Sequence, residues 1–179
     1  MESENAADVG WLFMEIIETP LMRMLYAKEI EHRVIIHKKP AYSCEDVSRE
    51  RNIPVADILK CILVADKWHK HCLFCLPGDC ALDLEKARAF LGTTRLSFAT
   101  REEAEAVTGQ KPGTINPFFH TVKVPIVFDK SILSKTAMDI SSGNPNAGVQ
   151  MQAQMLVLLV NPKFADVLAS MPEVKNTWK

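Results

Sequence analysis

Residues 60–77 read KCILVADKWHKHCLFCLP, and the way these positions pair decides the fold. Two apolar runs, KCILVAD (60–66) and HCLFCLP (71–77), flank a four-residue polar turn. Short β-rich runs joined so briefly form an antiparallel hairpin, because a parallel pair needs a long crossover. A second pair, AMDIS (137–141) and VQMQA (149–153), brackets SGNPNAG in the same way. RVIIH (33–37), RLSFA (95–99) and PIVFD (125–129) read as further strands. With this many hairpins a purely parallel sheet is not expected.

Helices lie between the strands and carry their own punctuation. Thr19-Pro20 is an N-cap followed by proline at the first helical position, which predicts a helix to about Glu31. Ser43 with Asp46 and Thr100 with Glu103 resemble capping boxes. The first predicts a helix to about Arg51, broken by Ile53-Pro54 and followed by a short helical turn near Leu59. The second opens a helix that Gly109 ends. Asp83 caps a helix stopped by Gly92, and Asn161-Pro162 predicts a last short helix to about Ser170. The class is mixed α/β, or α+β. The expected organisation is an acidic extension or added helix over 1–18, one domain over 19–172 and a tail over 173–179.

Composition removes several functions. The 179 residues carry a formal charge of −1 and are 47% hydrophobic, which supplies a core but no globally basic coat. Any polyanion contact must be local, and Lys38, Lys39, Lys67 and Lys70 are the residues expected to meet phosphates. The start MESENAADVG is acidic where a secretory leader is basic. The apolar run MLVLLV (155–160) is far short of the ~20 residues of a membrane helix. A cytoplasmic protein without membrane contact is expected. Five cysteines, an odd number, fit a reducing compartment. His69, His71, Cys72, Cys75 and Cys80 could be drawn as a zinc site. A strand, however, sends Cys72 and Cys75 to opposite faces, so no metal and no cofactor is expected.

Two loops concentrate the unusual backbone. Four of the seven glycines fall between 109 and 148, in GQKPGTINP and SSGNPNAG. Gly109, Pro112, Gly113 and Pro117 lie within nine positions, more than a plain turn requires. Such loops can aim backbone N–H groups at an anion or a reacting carbonyl, or can simply be turns. Lys60 sits at the rim of an apolar strand. It is either a solvated lysine or a fixed cation for a phosphate, carboxylate or ribose. His120, after the first loop, lines a pocket or caps a strand. Spacing places no histidine beside a nucleophile.

Four segments in order match a known family. HKKPAYSCEDV (37–47), ILKCILVAD (58–66), TGQKPGTINPF (108–118) and SSGNPNAG (141–148) together resemble the YbaK/prolyl-tRNA synthetase-associated aminoacyl-tRNA editing domains. The resemblance runs from about Leu21 to Ala169. It implies a largely antiparallel sheet or partial barrel surrounded by helices. It implies a deacylase that hydrolyses the ester joining a mischarged amino acid to the 3′-terminal adenosine of tRNA. In that reading Lys60 contacts the terminal nucleotide region. The loop Gly113-Thr114-Ile115-Asn116-Pro117 supplies backbone amides for the aminoacyl end, with Lys60, Gly113 and Pro117 as the catalytic set. Ser142, Gly143, Gln150 and His120 join Thr114, Ile115 and Asn116 as substrate-binding candidates.

The departures bear on specificity. Gln150 stands where prolyl-tRNA synthetase editing domains tend to have histidine and the cysteine-specific deacylases an acidic residue, and Asn116 is unusual in the first loop. Alanine, cysteine, serine or another small side chain stays open. The implied partners are the CCA end of an aminoacyl-tRNA and an aminoacyl-tRNA synthetase such as prolyl-tRNA synthetase. The chain is too short for a synthetase's own catalytic and anticodon domains, so a freestanding trans-editing hydrolase is expected. A non-catalytic module holding a tRNA end or a synthetase in the same cleft is the alternative. A third reading makes both loops mere turns.

Overall fold

The structure is a computed structural model and describes residues 17–170. The tail over 173–179, and all but the last two residues of the 1–18 extension, lie outside the described residues.

The hairpin forms as its sequence requires. β2 (Leu59–Asp66) pairs antiparallel with β3 (His71–Pro77), with Cys61 opposite Cys75 and Leu63 opposite Leu73. Outside it, β4 (Leu96–Phe98) pairs antiparallel with β2, while β5 (Ile126–Asp129) and β8 (Lys163–Ala165) run parallel on the β3 side. The order of this mixed sheet is β4-β2-β3-β5-β8. A second, antiparallel sheet has the order β1-β7-β6, from β1 (Arg33–Ile36), β6 (Ala137–Ser141) and β7 (Ala147–Gln152). A single parallel bridge, Ile58 to Asp139, brings the two sheets edge to edge without closing a barrel.

β3 is buried on both faces. Leu73 and Cys75 join Leu21, Leu25, Phe128, Met138, Val149 and Leu156 in the main core. Cys72, Phe74 and Leu76 face a second cluster with Val127, Ala165 and Ala87. Cys72 and Cys75 thus point to opposite sides of the sheet, as strand alternation requires.

The caps work as side-chain chemistry dictates. Thr19 Oγ1 accepts the Met22 N–H at the start of α1 (Pro20–Ala27), and Ser43 Oγ accepts the Asp46 N–H at the start of α2 (Cys44–Arg51). Asp83 caps α3 (Leu84–Leu91), and Thr100 with Glu103 closes a full capping box on α4 (Arg101–Thr108). Gly92 and Gly109 end their helices in the left-handed region. A short 3₁₀ turn at Val55–Asp57 follows Pro54.

One element falls elsewhere. The expected helix after Asn161-Pro162 is absent, and β8 occupies Lys163–Ala165. The helix is instead α5 (Ala153–Val160), whose Ala153 and Leu156 are buried in the main core. Asn161 is its left-handed C-cap, φ +48°, a role asparagine fills as readily as an N-cap.

Candidate active site

A cavity of about 360 Å³ opens where the edge of β2 faces α2 and the first glycine loop. Its walls include Tyr42, Arg51, Lys60, Cys61, Gly113, Ile115 and Ser141. β4 pairs with β2 only at positions 64–66 and β6 bridges to the chain only at Ile58, so the segment from Leu59 to Cys61 has no paired strand on that side. The strand edge becomes a wall.

Lys60 is half-buried there. Its ammonium donates to the Gly78 carbonyl at 2.9 Å and to the Cys80 carbonyl. An ammonium has three protons, so one donor is left to face a ligand. The side chain is a cation held by backbone, on a strand rather than at a helix end.

Gly113 lies at φ +89°, open to glycine at little cost, and its loop abuts Tyr42 closely. A Cβ at Gly113 would sit 2.7 Å from the Tyr42 carbonyl oxygen. The Thr114 N–H and hydroxyl both donate to the Lys111 carbonyl, which tightens the turn that carries Gly113. Ile115 completes the apolar side of the cavity.

Asn116 ties this loop to the second one. It is buried; its N–H donates to Gln110 Oε1 at 2.8 Å, and its amide donates to the Ser141 carbonyl at 3.1 Å. The second loop is braced internally: Ser142 Oγ donates to the Ala147 carbonyl, and the Gly143 N–H, at φ +94°, donates to Ser141 Oγ. Ser142, Gly143 and Asn116 line a neighbouring cavity of about 430 Å³ together with Lys111 and Phe119. Pro117 and His120 border a third one, where His120 Nε2 meets the Asn116 carbonyl at 2.7 Å. Thr114 is buried, and Gln150 is half-buried on β7 opposite Asp139. The structure therefore gathers Lys60, Gly113 and Ile115 at one cavity and distributes the other candidates around the two loops.

The lysines expected to meet phosphate separate as well. Lys67 and Lys70 are exposed at the hairpin tip, level with or just past Asp66, about six strand positions from Lys60 and so, at ~3.3 Å per residue, about 20 Å away. Lys38 and Lys39 are exposed beside the second loop, whose Asn146 donates to the Lys38 carbonyl.

Sequence reasoning missed the floor of the cavity. Arg51, at the end of α2, is 7% exposed and donates from Nη1 to Asp139 Oδ2 at 2.5 Å. Its Nη2 donates to the Ala147 carbonyl at 3.0 Å, and its Nε to His37 Nε2 at 3.3 Å. His37 Nε2 accepts there, so Nδ1 carries the proton and donates to the Lys39 carbonyl at 2.6 Å. The guanidinium lies directly over Gly148, where a Cβ would come within 1.9 Å of it. Burial pushes the Asp139 carboxyl up to about 6 against the opposing pull of Arg51, and its Oδ1 is buried without a partner. The Cys44 thiol, on the same wall, is also raised by burial, with Lys60 opposing.

Among the described residues no histidine hydrogen-bonds to a serine or cysteine; His71 meets Glu103, His37 meets Arg51 and His120 meets a carbonyl. Ser43, Cys44, Cys61 and Ser141 line the cavity without a histidine to act as their base, so what the cavity offers ester hydrolysis is position and charge. That suits an ester already activated for attack.

Comparison with known proteins identifies the family. The model of the aminoacyl-tRNA editing domain matches residues 38–158, more than half of the chain. The prolyl-tRNA editing protein ProX of Acetoanaerobium sticklandii is 25% identical over 131 residues, covering 70% of this chain and 80% of that protein. The multifunctional Ser/Thr-tRNA deacylase ProXp-y of Escherichia coli is 30% identical over 138 residues, covering 65% of this chain and 82% of that one. The proline–tRNA ligase of Aquifex aeolicus is 23% identical over 111 residues, which are only 20% of the ligase. A solved structure of a candidate trans-editing enzyme for prolyl-tRNA synthetase superposes with a TM-score of 0.74 at 23% identity, over 86% of this chain and all of that one. The chain belongs to the aminoacyl-tRNA editing domain family, a family of hydrolases that deacylate aminoacyl-tRNA. No helix among the described residues is long and apolar enough to cross a membrane.

Proposed function

We propose that the chain is a freestanding trans-editing deacylase that hydrolyses the ester of a small amino acid, such as alanine or cysteine, on a mischarged tRNA, with tRNA-Pro the first candidate. The observation that carries this reading is Lys60. Its ammonium is fixed by two backbone carbonyls on the wall of a cavity that Gly113 also lines.

In this reading the remaining donor of Lys60 takes the terminal nucleotide of the CCA end. The Thr114 and Asn116 N–H groups are spent within the first glycine loop and Pro117 has none, so it is the Gly113 and Ile115 N–H groups that face the aminoacyl group and stabilise the charge that develops on the ester carbonyl oxygen. Pro117 stiffens that loop from its far side. A water or a hydroxyl of the substrate attacks the carbonyl carbon, and the tRNA hydroxyl leaves. Ile115 and Val47 bound a space suited to a small side chain. A difference of one methyl group is worth only ~1–3 kcal/mol in such a pocket, so editing must rely on placement as well as fit. Action in the cytoplasm, beside a synthetase such as prolyl-tRNA synthetase, goes with this reading.

The test is a deacylation assay with Ala-, Cys-, Ser- and Thr-tRNA, each on tRNA-Pro and on its own tRNA. Hydrolysis of alanyl- or cysteinyl-tRNA-Pro above the spontaneous rate is the expected result. Preference for Ser- or Thr-tRNA would move the specificity toward that named for the Escherichia coli relative. Binding of tRNA with no hydrolysis of any member would make the chain a binding module.

A further inference from the structure

We propose that Cys61 and Cys75 form a peroxide-responsive thiol pair, a reversible modification site set into the wall of the Lys60 cavity. The two residues stand directly opposite each other on β2 and β3, and their sulfurs are 3.4 Å apart. Directly paired residues on antiparallel strands lie ~4.5–5.5 Å apart at Cα, inside the range that a disulfide spans. Forming the bond needs the sulfurs to close to about 2.05 Å, a movement of little more than an ångström. Rotation of the side chains supplies it without a shift of register.

The two thiols differ in access, and this gives the chemistry an order. Cys61 is partly exposed and lines the cavity, so a small oxidant can reach it. Cys75 is 0% exposed, behind it in the main core. Cys72, three positions along, faces the other side of the sheet and cannot compete. In the first step the Cys61 thiolate attacks hydrogen peroxide. An S–O bond forms, the O–O bond breaks and the departing hydroxide takes up a proton as water. In the second step Cys75 attacks the Cys61 sulfur; the S–S bond forms, the S–O bond breaks and the thiol proton leaves with the hydroxyl as a second water. Two thiols are oxidised and one peroxide is reduced. The bond closes one position along β2 from Lys60, on the opposite face of the strand, and gives the strand that walls the cavity a covalent oxidised state. Transient disulfides of this kind are the form in which reducing compartments use them.

The experiment treats the full chain with hydrogen peroxide, blocks remaining thiols with N-ethylmaleimide under denaturing conditions and maps peptides without reduction. The expected result is a loss of about two hydrogen masses, a peptide pair joined through Cys61 and Cys75, and alkylation of Cys72. Thiol reductant restores both free thiols. In Cys75→Ala the same treatment leaves a sulfenic acid on Cys61 that dimedone captures, with no link. The map of the unmodified sequence decides the matter even where that variant fails to fold. Treatment that leaves Cys61 and Cys75 unlinked, whatever it does to Cys44 and Cys80, overturns the inference.

Discussion

The wall and the floor of the cavity solve opposite problems. At the wall a single charge, Lys60, is steadied by neutral backbone carbonyls and keeps a donor toward the open space. At the floor two charges, Arg51 and Asp139, are steadied by each other and sealed from water, with side chains 2% and 0% exposed. A half-exposed cation can serve a ligand at small cost in stability. A buried ion pair contributes mainly architecture, because its attraction roughly offsets the loss of hydration. Arg51 nonetheless reaches Asp139 on β6, Ala147 at the second glycine loop and His37 beyond β1, so the floor fixes the frame in which the wall is held.

The largest effect should come from breaking the floor. Arg51→Met leaves Asp139 buried without its partner and should cost ~3–5 kcal/mol of stability, measured by urea denaturation. Loss of less than about 1 kcal/mol would mean the pair is not a structural joint.

At the wall, Gly113→Ala places a Cβ against the Tyr42 carbonyl in a positive-φ turn. If the loop amides stabilise the ester oxygen, turnover should fall by ~10²–10³, equivalent to ~2.7–4 kcal/mol. The strain should also lower stability, so single-turnover rates per folded molecule are the quantity to compare. Unchanged rates in folded protein would leave Gly113 as a turn residue only.

A third test sharpens the contrast through pH. Asp139 titrates near 6 in the folded chain, above its unfolded value of 3.8. At this carboxyl the folded state therefore holds more protons between these values, and its contribution to stability should fall as pH rises from about 4 to about 6. The change is on the order of 3 kcal/mol, because each tenfold difference in proton affinity between the two states is worth ~1.4 kcal/mol. The contribution is read as the difference in slope between the unmodified chain and Asp139→Asn, because Asp46, Asp66 and Glu103, held below the usual carboxylate range, add a slope of the opposite sign in both. A difference of the opposite sign would mean Arg51 outweighs burial at this carboxylate. The smallest effect concerns Ser43, the N-cap at the cavity mouth. Ser43→Ala should cost ~1 kcal/mol by thermal melting and leave turnover within a few-fold.

The wall was legible in the sequence and the floor was not, for physical reasons. Strand pairing at 60–77, the caps at Thr19, Ser43, Asp83 and Thr100, and the stiffness of the 109–117 loop are local properties, encoded within a few residues. Resemblance then pointed to Lys60 and Gly113. Arg51 and Asp139 are 88 positions apart, and nothing near either one announces the other. Gly148 offered a trace: it is a glycine without positive φ, required because a guanidinium lies on it. The C-terminal miss has a similar origin. MLVLLV suits helix or buried strand equally by composition, and burial of Leu156 in the main core decides it.

The most direct measurement is single-turnover deacylation by Lys60→Ala on the substrate the intact chain hydrolyses best, with the melting temperature recorded on the same sample. Removing a charge-assisted contact to the terminal nucleotide is worth ~1.5–3 kcal/mol, so the rate should drop about 10- to 100-fold. The melting temperature should move by no more than ~2–4 °C, the equivalent of about 1 kcal/mol in a domain of this size. A variant that melts normally and hydrolyses at the unmodified rate would contradict the account, because the fixed cation on the cavity wall would then have no part in the reaction.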